Sequence, residues 1–178
     1  MQRFLIIRLG SLGDVVLTSP AARALRKAFP SAHIAVLTST PFAPLYASNP
    51  NVDEVLTVDR ARTNRDIGSI ASLVRRIRRE RFTTSIDLHR KLKTAGIACL
   101  ARVPRRIGGS ALDTSRVALD TSAHASEHAL AALRPLDVDD DDARPEVFVS
   151  DEDASAAADV LSRHGVDPLS DRILGIFP

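Results

Sequence analysis

Residues 4–9, Phe-Leu-Ile-Ile-Arg-Leu, are a short apolar run rich in β-formers and interrupted only by Arg8. That is the pattern of a central parallel strand buried on both faces. Gly10 and Gly13 bracket Ser11-Leu12 directly after it, so the chain is expected to turn sharply there through positive φ. Asp14 then falls where a helix N-terminus exposes unpaired N–H groups, a place that favours a carboxylate through capping and the helix dipole. A stripe of Leu17, Ala21, Ala24, Leu25 and Ala28 predicts a helix reaching Ala28 and ended by Pro30. Pro20 leaves its start open: an irregular first turn, or a regular helix with Ser19 as N-cap and Pro20 at its first position.

The alternation continues along the chain. His33–Leu37 reads as a second strand, residues 42–47 as a short helical piece in a proline-punctuated loop, and Glu54–Val58 as a third strand. A helix over Asp66–Arg81 carries Ile67, Ile70, Val74 and Ile77 on one face, with Arg75, Arg76, Arg78 and Arg79 around the rest. Thr83–Leu88 is expected as strand four, Leu92–Ala101 as a helix and Arg105–Gly108 as a short strand, while Asp113–His124 has no clear pattern. Glu127–Leu136 reads as helical and Glu146–Val149 as a short strand. Asp151–His164 reads as an amphipathic helix closed by Gly165, and Ile173–Phe177 as a last apolar strand. Strands and helices alternating at this spacing predict right-handed βαβ units. The expected fold class is therefore α/β, a Rossmann-like parallel sheet with flanking helices.

Length and composition (178 residues, 44% hydrophobic) suit one domain with a sizeable core. The formal charge of +2 conceals an asymmetry. From Arg60 to Arg106 there are fourteen Arg or Lys against three Asp or Glu, and from Asp137 to Asp159 ten acidic residues against one Arg. The middle stretch thus suits an anionic partner and the acidic one a solvated surface, unless the two faces simply attract each other. Cys99 is alone, which excludes a disulfide framework and makes a reducing cytoplasm the expected setting. Arg8 ends the N-terminal apolar run too early for a signal peptide. The longest stretch free of charged residues, Ser31–Val52, carries three prolines and is no membrane span, so membrane contact would be peripheral.

Open parallel sheets bind ligands outside the carboxyl ends of their strands. Asp14 sits at such an end. Arg60, Arg62 and Arg65 follow strand three, and Arg90, Lys91 and Lys93 follow strand four, so these groups are expected to converge on one cleft able to grip phosphate or carboxylate. A plain helix cap and a solvated basic surface are the competing readings. His89 follows Asp87 by two, so in an extended strand their side chains would share a direction, either lining the cleft or meeting water at the strand end. The Arg75–Arg81 helix reads as a solvated face, with contact to an anionic membrane surface as the lesser reading. Gly10-x-x-Gly13 has neither the Lys-Ser/Thr of a P-loop nor the spacing of a dinucleotide fingerprint. His33, His124, His128 and His164 show no metal-ligand spacing, and with a single cysteine no metal or cofactor is called for. With only 4% aromatic residues there is little for base stacking, which argues against nucleic acid as the partner.

Several of these segments form an ordered set. Arg-Leu-Gly-Ser-Leu-Gly-Asp-Val-Val-Leu-Thr-x-Pro-Ala-x-x-x-Leu within Phe4–Leu25 is followed by Arg26-Lys27-Ala28-Phe29-Pro30-x-Ala32-His33-Ile34 and Asn49-Pro50-x-Val52-Asp53-Glu54-Val55. The set closes with Ile86-Asp87-Leu88-His89-Arg90-x-Leu92-Lys93-Thr94-Ala95 and Arg105-Arg106-Ile107-Gly108. Together they resemble glycosyltransferase family 9, the ADP-heptose:lipopolysaccharide heptosyltransferases. The resemblance implies the N-terminal half of a GT-B architecture, in which two Rossmann-like domains face a cleft, the first binding acceptor and the second ADP-sugar. It implies Asp14 as the general base of an inverting transfer. It also implies an acidic lipopolysaccharide inner-core acceptor (Kdo), with Ser11, Arg60, Arg62, Arg65, His89, Arg90 and Lys93 as candidate acceptor contacts. ADP-heptose would bind through a C-terminal domain. On this reading residues 1–172 are the acceptor domain, and 173–178 begin a strand crossing into a donor domain that the chain lacks, so efficient transfer by the chain alone is not expected. The implied setting is cytoplasmic, peripheral at the inner membrane face. Arg90 stands where many members have Gly, which leaves acceptor identity open. The alternative of another class is a non-catalytic Rossmann-like module binding anionic sugars or nucleotides.

Overall fold

The computed structural model describes residues 1–59, 61, 66–118, 123–167 and 170–174. The chain divides into two compact units, Met1–Val147 and Phe148–Pro178. In the first, β1 (Arg3–Ile7), β2 (His33–Ser39), β3 (Glu54–Val58), β4 (Thr84–Asp87), β5 (Arg105–Gly108) and β6 (Ser115–Arg116) form one sheet in the order β3-β2-β1-β4-β5-β6. Every pairing is parallel. All carboxyl ends therefore share one edge. Strand order reverses between β1 and β4, which makes their ends the switch point where such sheets open a crevice.

β1 shows why an uninterrupted apolar run is required. Phe4 and Ile6 join the core on one face with Val15, Leu25, Ile34 and Leu133, while Leu5 and Ile7 join the other with Leu37, Leu73, Ile77 and Ile97. Alternation of side chains along a strand divides the run between two cores, so both faces must be apolar. The first core is covered by α1 (Leu12–Val16), α2 (Ser19–Ala28), α3 (Pro44–Ala47) and α6 (Ala125–Ala131), and the second by α4 (Ile67–Arg79) and α5 (Leu92–Leu100). Each fully buried Leu or Ile contributes about 1.5–3 kcal/mol.

The first expected helix is two helices. α1 ends at Val16, Thr18 becomes the N-cap of α2, and Pro20 falls in the first turn of α2, where its missing N–H costs nothing. The strand expected at Glu146–Val149 is absent, because no neighbouring strand meets it. The Glu146 N–H is instead satisfied by Ser19 Oγ at 2.7 Å. Nor is the acidic loop before it a purely solvated surface. Asp142 and Glu146 pair with Arg23, and Asp140 with Lys27, so the loop is tied to α2 rather than to the basic middle of the chain.

The second unit contains α7 (Asp151–Arg163), capped by Ser150 and ended by Gly165 at φ +73°. Val166 N–H to Leu161 O and Gly165 N–H to Ser162 O complete a Schellman turn. None of its residues is buried; the expected apolar stripe is mostly alanine and offers little area to bury. Of the strand expected over Ile173–Phe177, Ile173 and Leu174 have no strand pairing, and the rest lies outside the described residues. No helix among the described residues is long and apolar enough to cross a membrane.

Candidate functional site

At the end of β1 the chain passes Gly10, whose φ of +147° suits only glycine, and enters the short α1 with Ser11 as N-cap. Gly13, expected in positive φ, is an ordinary helical residue with open space where a Cβ would stand. Asp14 is the third residue of α1, and its Oδ2 accepts the Ser11 N–H at 3.1 Å, the reciprocal half of a capping box. The same oxygen lies 2.7 Å from an Nη of Arg8. The Ser11 hydroxyl also hydrogen-bonds the carboxylate. Partial burial would raise the Asp14 pKa. The hydrogen bonds from Arg8 and Ser11 and the Arg8 charge outweigh it and hold the carboxyl below its usual range.

The end of β4 is built differently. Asp87 closes the strand and is 2% exposed. Its Oδ1 accepts the backbone N–H of His89 and Arg90 at 3.0 and 2.9 Å, and its Oδ2 accepts Thr94 Oγ1 at 2.7 Å. Asp87 thus staples the β4–α5 loop. The strand has already ended, so the alternation that would align Asp87 with His89 does not apply. Burial is the main reason that the Asp87 carboxyl is pushed up to about 6, against the Thr94 and backbone hydrogen bonds and together with the charge of Asp113. Arg90 takes φ +57°, the left-handed region that favours glycine. Its guanidinium crosses Gly109, where a Cβ would come within 2.4 Å of Nη2, and donates to Val117 O at 2.8 Å.

Arg8, Asp14, Arg90 and His128 line one cleft of about 140 Å³, with Leu17, Leu88 and Ala129 as its apolar wall. Of the residues expected at the site, the structure brings Asp14 and Arg90 together here. Ser11 is adjacent and exposed, its N–H engaged by Asp14. His89 and the exposed Lys93 are not among the residues lining the cleft. Arg60, Arg62 and Arg65 lie outside the described residues. Two lining residues were missed. Arg8 was legible as a charge at the carboxyl end of a buried strand; His128 on α6 had no local signal. A larger cavity of about 460 Å³ is lined by Glu127, Asp139, Asp140 and Asp141 together with Arg134 and His128, so acidic groups outnumber basic ones there. No metal-binding cluster of His, Cys, Asp or Glu occurs among the described residues.

A six-stranded parallel sheet with helices on both faces and a cleft at the switch point is a Rossmann-like half of the GT-B glycosyltransferase architecture. The chain is similar over 99% of its length to the glycosyl transferase family 9 protein of Veillonella parvula DSM 2008, at 26% identity and a TM-score of 0.85. It is also similar to E. coli ADP-heptose lps heptosyltransferase II (20% identity, 94% of this chain, TM-score 0.70) and to E. coli heptosyltransferase WaaC with ADP (20%, 82%, 0.69). At 20% identity the latter two speak to the fold alone. The chain spans 55%, 52% and 50% of those three chains, about half their length. No family model matches the chain, and no curated protein matches it by sequence.

Proposed function

We propose that this chain is the acceptor-binding half of an inverting glycosyltransferase that moves heptose from ADP-heptose to an inner-core sugar of lipopolysaccharide. Residues 1–172 are the acceptor domain and 173–178 the start of the crossing strand, with the donor held by a second domain beyond it. A cytoplasmic position, peripheral to the anionic inner membrane face, belongs to the same proposal. The observation that carries it is the state of Asp14: an ionised carboxylate at the switch-point cleft, its Oδ2 gripped by Arg8 and the Ser11 N–H. The likeness to the family 9 transferase supports the choice of reaction.

The chemistry follows from that carboxylate. A sugar hydroxyl is too weak an acid to ionise first, so its proton must leave as the new bond forms. The acceptor oxygen attacks the anomeric carbon from the face opposite the nucleotide. The carbon–oxygen bond to the diphosphate breaks and its electron pair leaves with ADP. Asp14 Oδ1 takes the hydroxyl proton and passes it to water. Its low pKa keeps it ionised at neutral pH, ready to accept. Arg90, with Arg60, Arg62, Arg65 and Lys93 from the basic middle of the chain, would hold the acceptor's carboxylate or phosphate, and Ser11 and His89 would make its polar contacts.

Asp14→Asn in the complete transferase is expected to lower turnover at least about 100-fold while acceptor affinity is retained. Near-normal turnover removes the base assignment. Kdo binding by this chain without any transfer in the complete protein favours the non-catalytic anion-binding module instead.

A further inference from the structure

Arg8 occupies a position that should be apolar. It continues β1 past Ile7, and its N–H reaches Leu37 O at 3.0 Å, so its backbone is fixed by the sheet. Its side chain is 20% exposed. One Nη donates to Leu88 O at the end of the neighbouring strand, the other contacts Asp14 Oδ2, and Nε has no hydrogen-bond partner among the described residues. A largely desolvated guanidinium is costly unless paired, and here the charge is balanced by Asp14.

We infer that Arg8 is the positioning residue of the Asp14 base: it holds Oδ2 from the sheet side and leaves Oδ1 to meet the acceptor hydroxyl. The inference rests on the reading of Asp14 as base. Two fixed donors, Arg8 and the Ser11 N–H, converge on one oxygen, which sets the rotation of the carboxylate. Three side chains bring charge or a titratable ring to this cleft: Arg8 from β1, Arg90 from the loop after β4 and His128 from α6. Arg90 is drawn away to Val117 O, so Arg8 is the cation in direct contact with Asp14. Arg8 also keeps the carboxylate ionised as the pH falls, at the expense of its strength as a base. Positioning and basicity therefore oppose each other, and their opposition makes the role measurable.

The test is the pH titration of the Asp14 carboxyl carbon by NMR in this chain, in the parent and in Arg8→Gln and Arg8→Lys variants, repeated with His128→Gln to remove the imidazole from the cleft. Arg8→Gln should raise the Asp14 pKa by about one unit, and Arg8→Lys should restore most of the shift. In the complete transferase, Arg8→Gln should lower kcat although the base is now stronger, move the acid limb of kcat/KM upward, and leave KM for Kdo less affected than kcat. An unmoved titration in Arg8→Gln, or kcat rising with the new basicity, overturns the inference. Should Arg8→Gln fail to fold, Arg8→Lys still decides it. Lysine preserves the charge and loses the fork, so kcat must fall while the titration stays near the parent's. Turnover surviving Asp14→Asn would instead defeat the base reading while leaving the titration result intact.

Discussion

Asp14 and Asp87 lie at the carboxyl ends of neighbouring strands on the same edge of the sheet and stand in opposite surroundings. The Asp14 side chain is 38% exposed, held by one arginine and one N–H, and its carboxyl is kept below the ordinary range although burial pulls the other way. Asp87 is 2% exposed, accepts three hydrogen bonds, and is pushed up to about 6 chiefly by burial. Residue type and position along the edge do not separate an accessible, ionised carboxylate from a buried one whose pKa is raised. Solvent access and the presence of a cation do.

Substitutions can break this contrast at either end. The largest effect on stability is expected from Asp87→Ala, which strips the β4–α5 loop of its acceptor. A loss of about 3 kcal/mol should appear in urea unfolding, since the Arg90 N–H and its neighbours lose a buried partner. Asp87 also predicts a pH dependence. Its folded pKa lies above the ordinary value, so the folded state binds more protons between about pH 4 and 6. The stability it contributes is present at low pH and declines as pH rises through about 6, by up to about 3 kcal/mol. Asp87→Asn keeps the acceptor without the titration and should flatten that slope in midpoints compared at pH 4.5 and 7. Gly109→Ala places a Cβ within 2.4 Å of Arg90 Nη2 and should displace it from Val117 O. Kdo binding is then expected to weaken roughly tenfold, about 1.4 kcal/mol by calorimetry, with the fold retained. The smallest effect on stability belongs to Asp14→Ala, about 1–2 kcal/mol, because the fold loses an exposed cap on a five-residue helix and the carboxylate that balances Arg8. A larger loss would make Asp14 structural after all and erase the contrast.

Much of this was legible from residue pattern. Glu54–Val58 and Arg105–Gly108 are strands with the expected limits, the first bounded by the Asn49-Pro50-Asn51 turn and the second by Pro104 and the Gly108-Gly109 pair. Asp14 was legible because a glycine turn after a buried strand leaves few places for an acidic residue to go. Arg8 interrupts an apolar run, and a charge there needs a partner, which lies six residues along at Asp14. A shared direction for Asp87 and His89 supposes an extended strand through residue 89, whereas β4 ends at Asp87 and its carboxylate accepts the N–H groups of His89 and Arg90. The ties from Asp142 and Glu146 to Arg23 span more than a hundred residues, and no local pattern carries them. His128 reaches the cleft through the packing of α6 beside α2, a tertiary fact with no signature in its own segment.

The most direct test of the central claim is a crystal structure, with Kdo bound, of the two-domain protein in which this chain is proposed to be the acceptor half. The expected result is a Kdo hydroxyl within about 2.6–3.2 Å of Asp14 Oδ1, with Arg8 still on Oδ2 and the sugar's carboxylate toward Arg90. Kdo seated away from this cleft, or bound with its hydroxyls turned from Asp14 and a different side chain in reach of them, would contradict the assignment of Asp14 as the base.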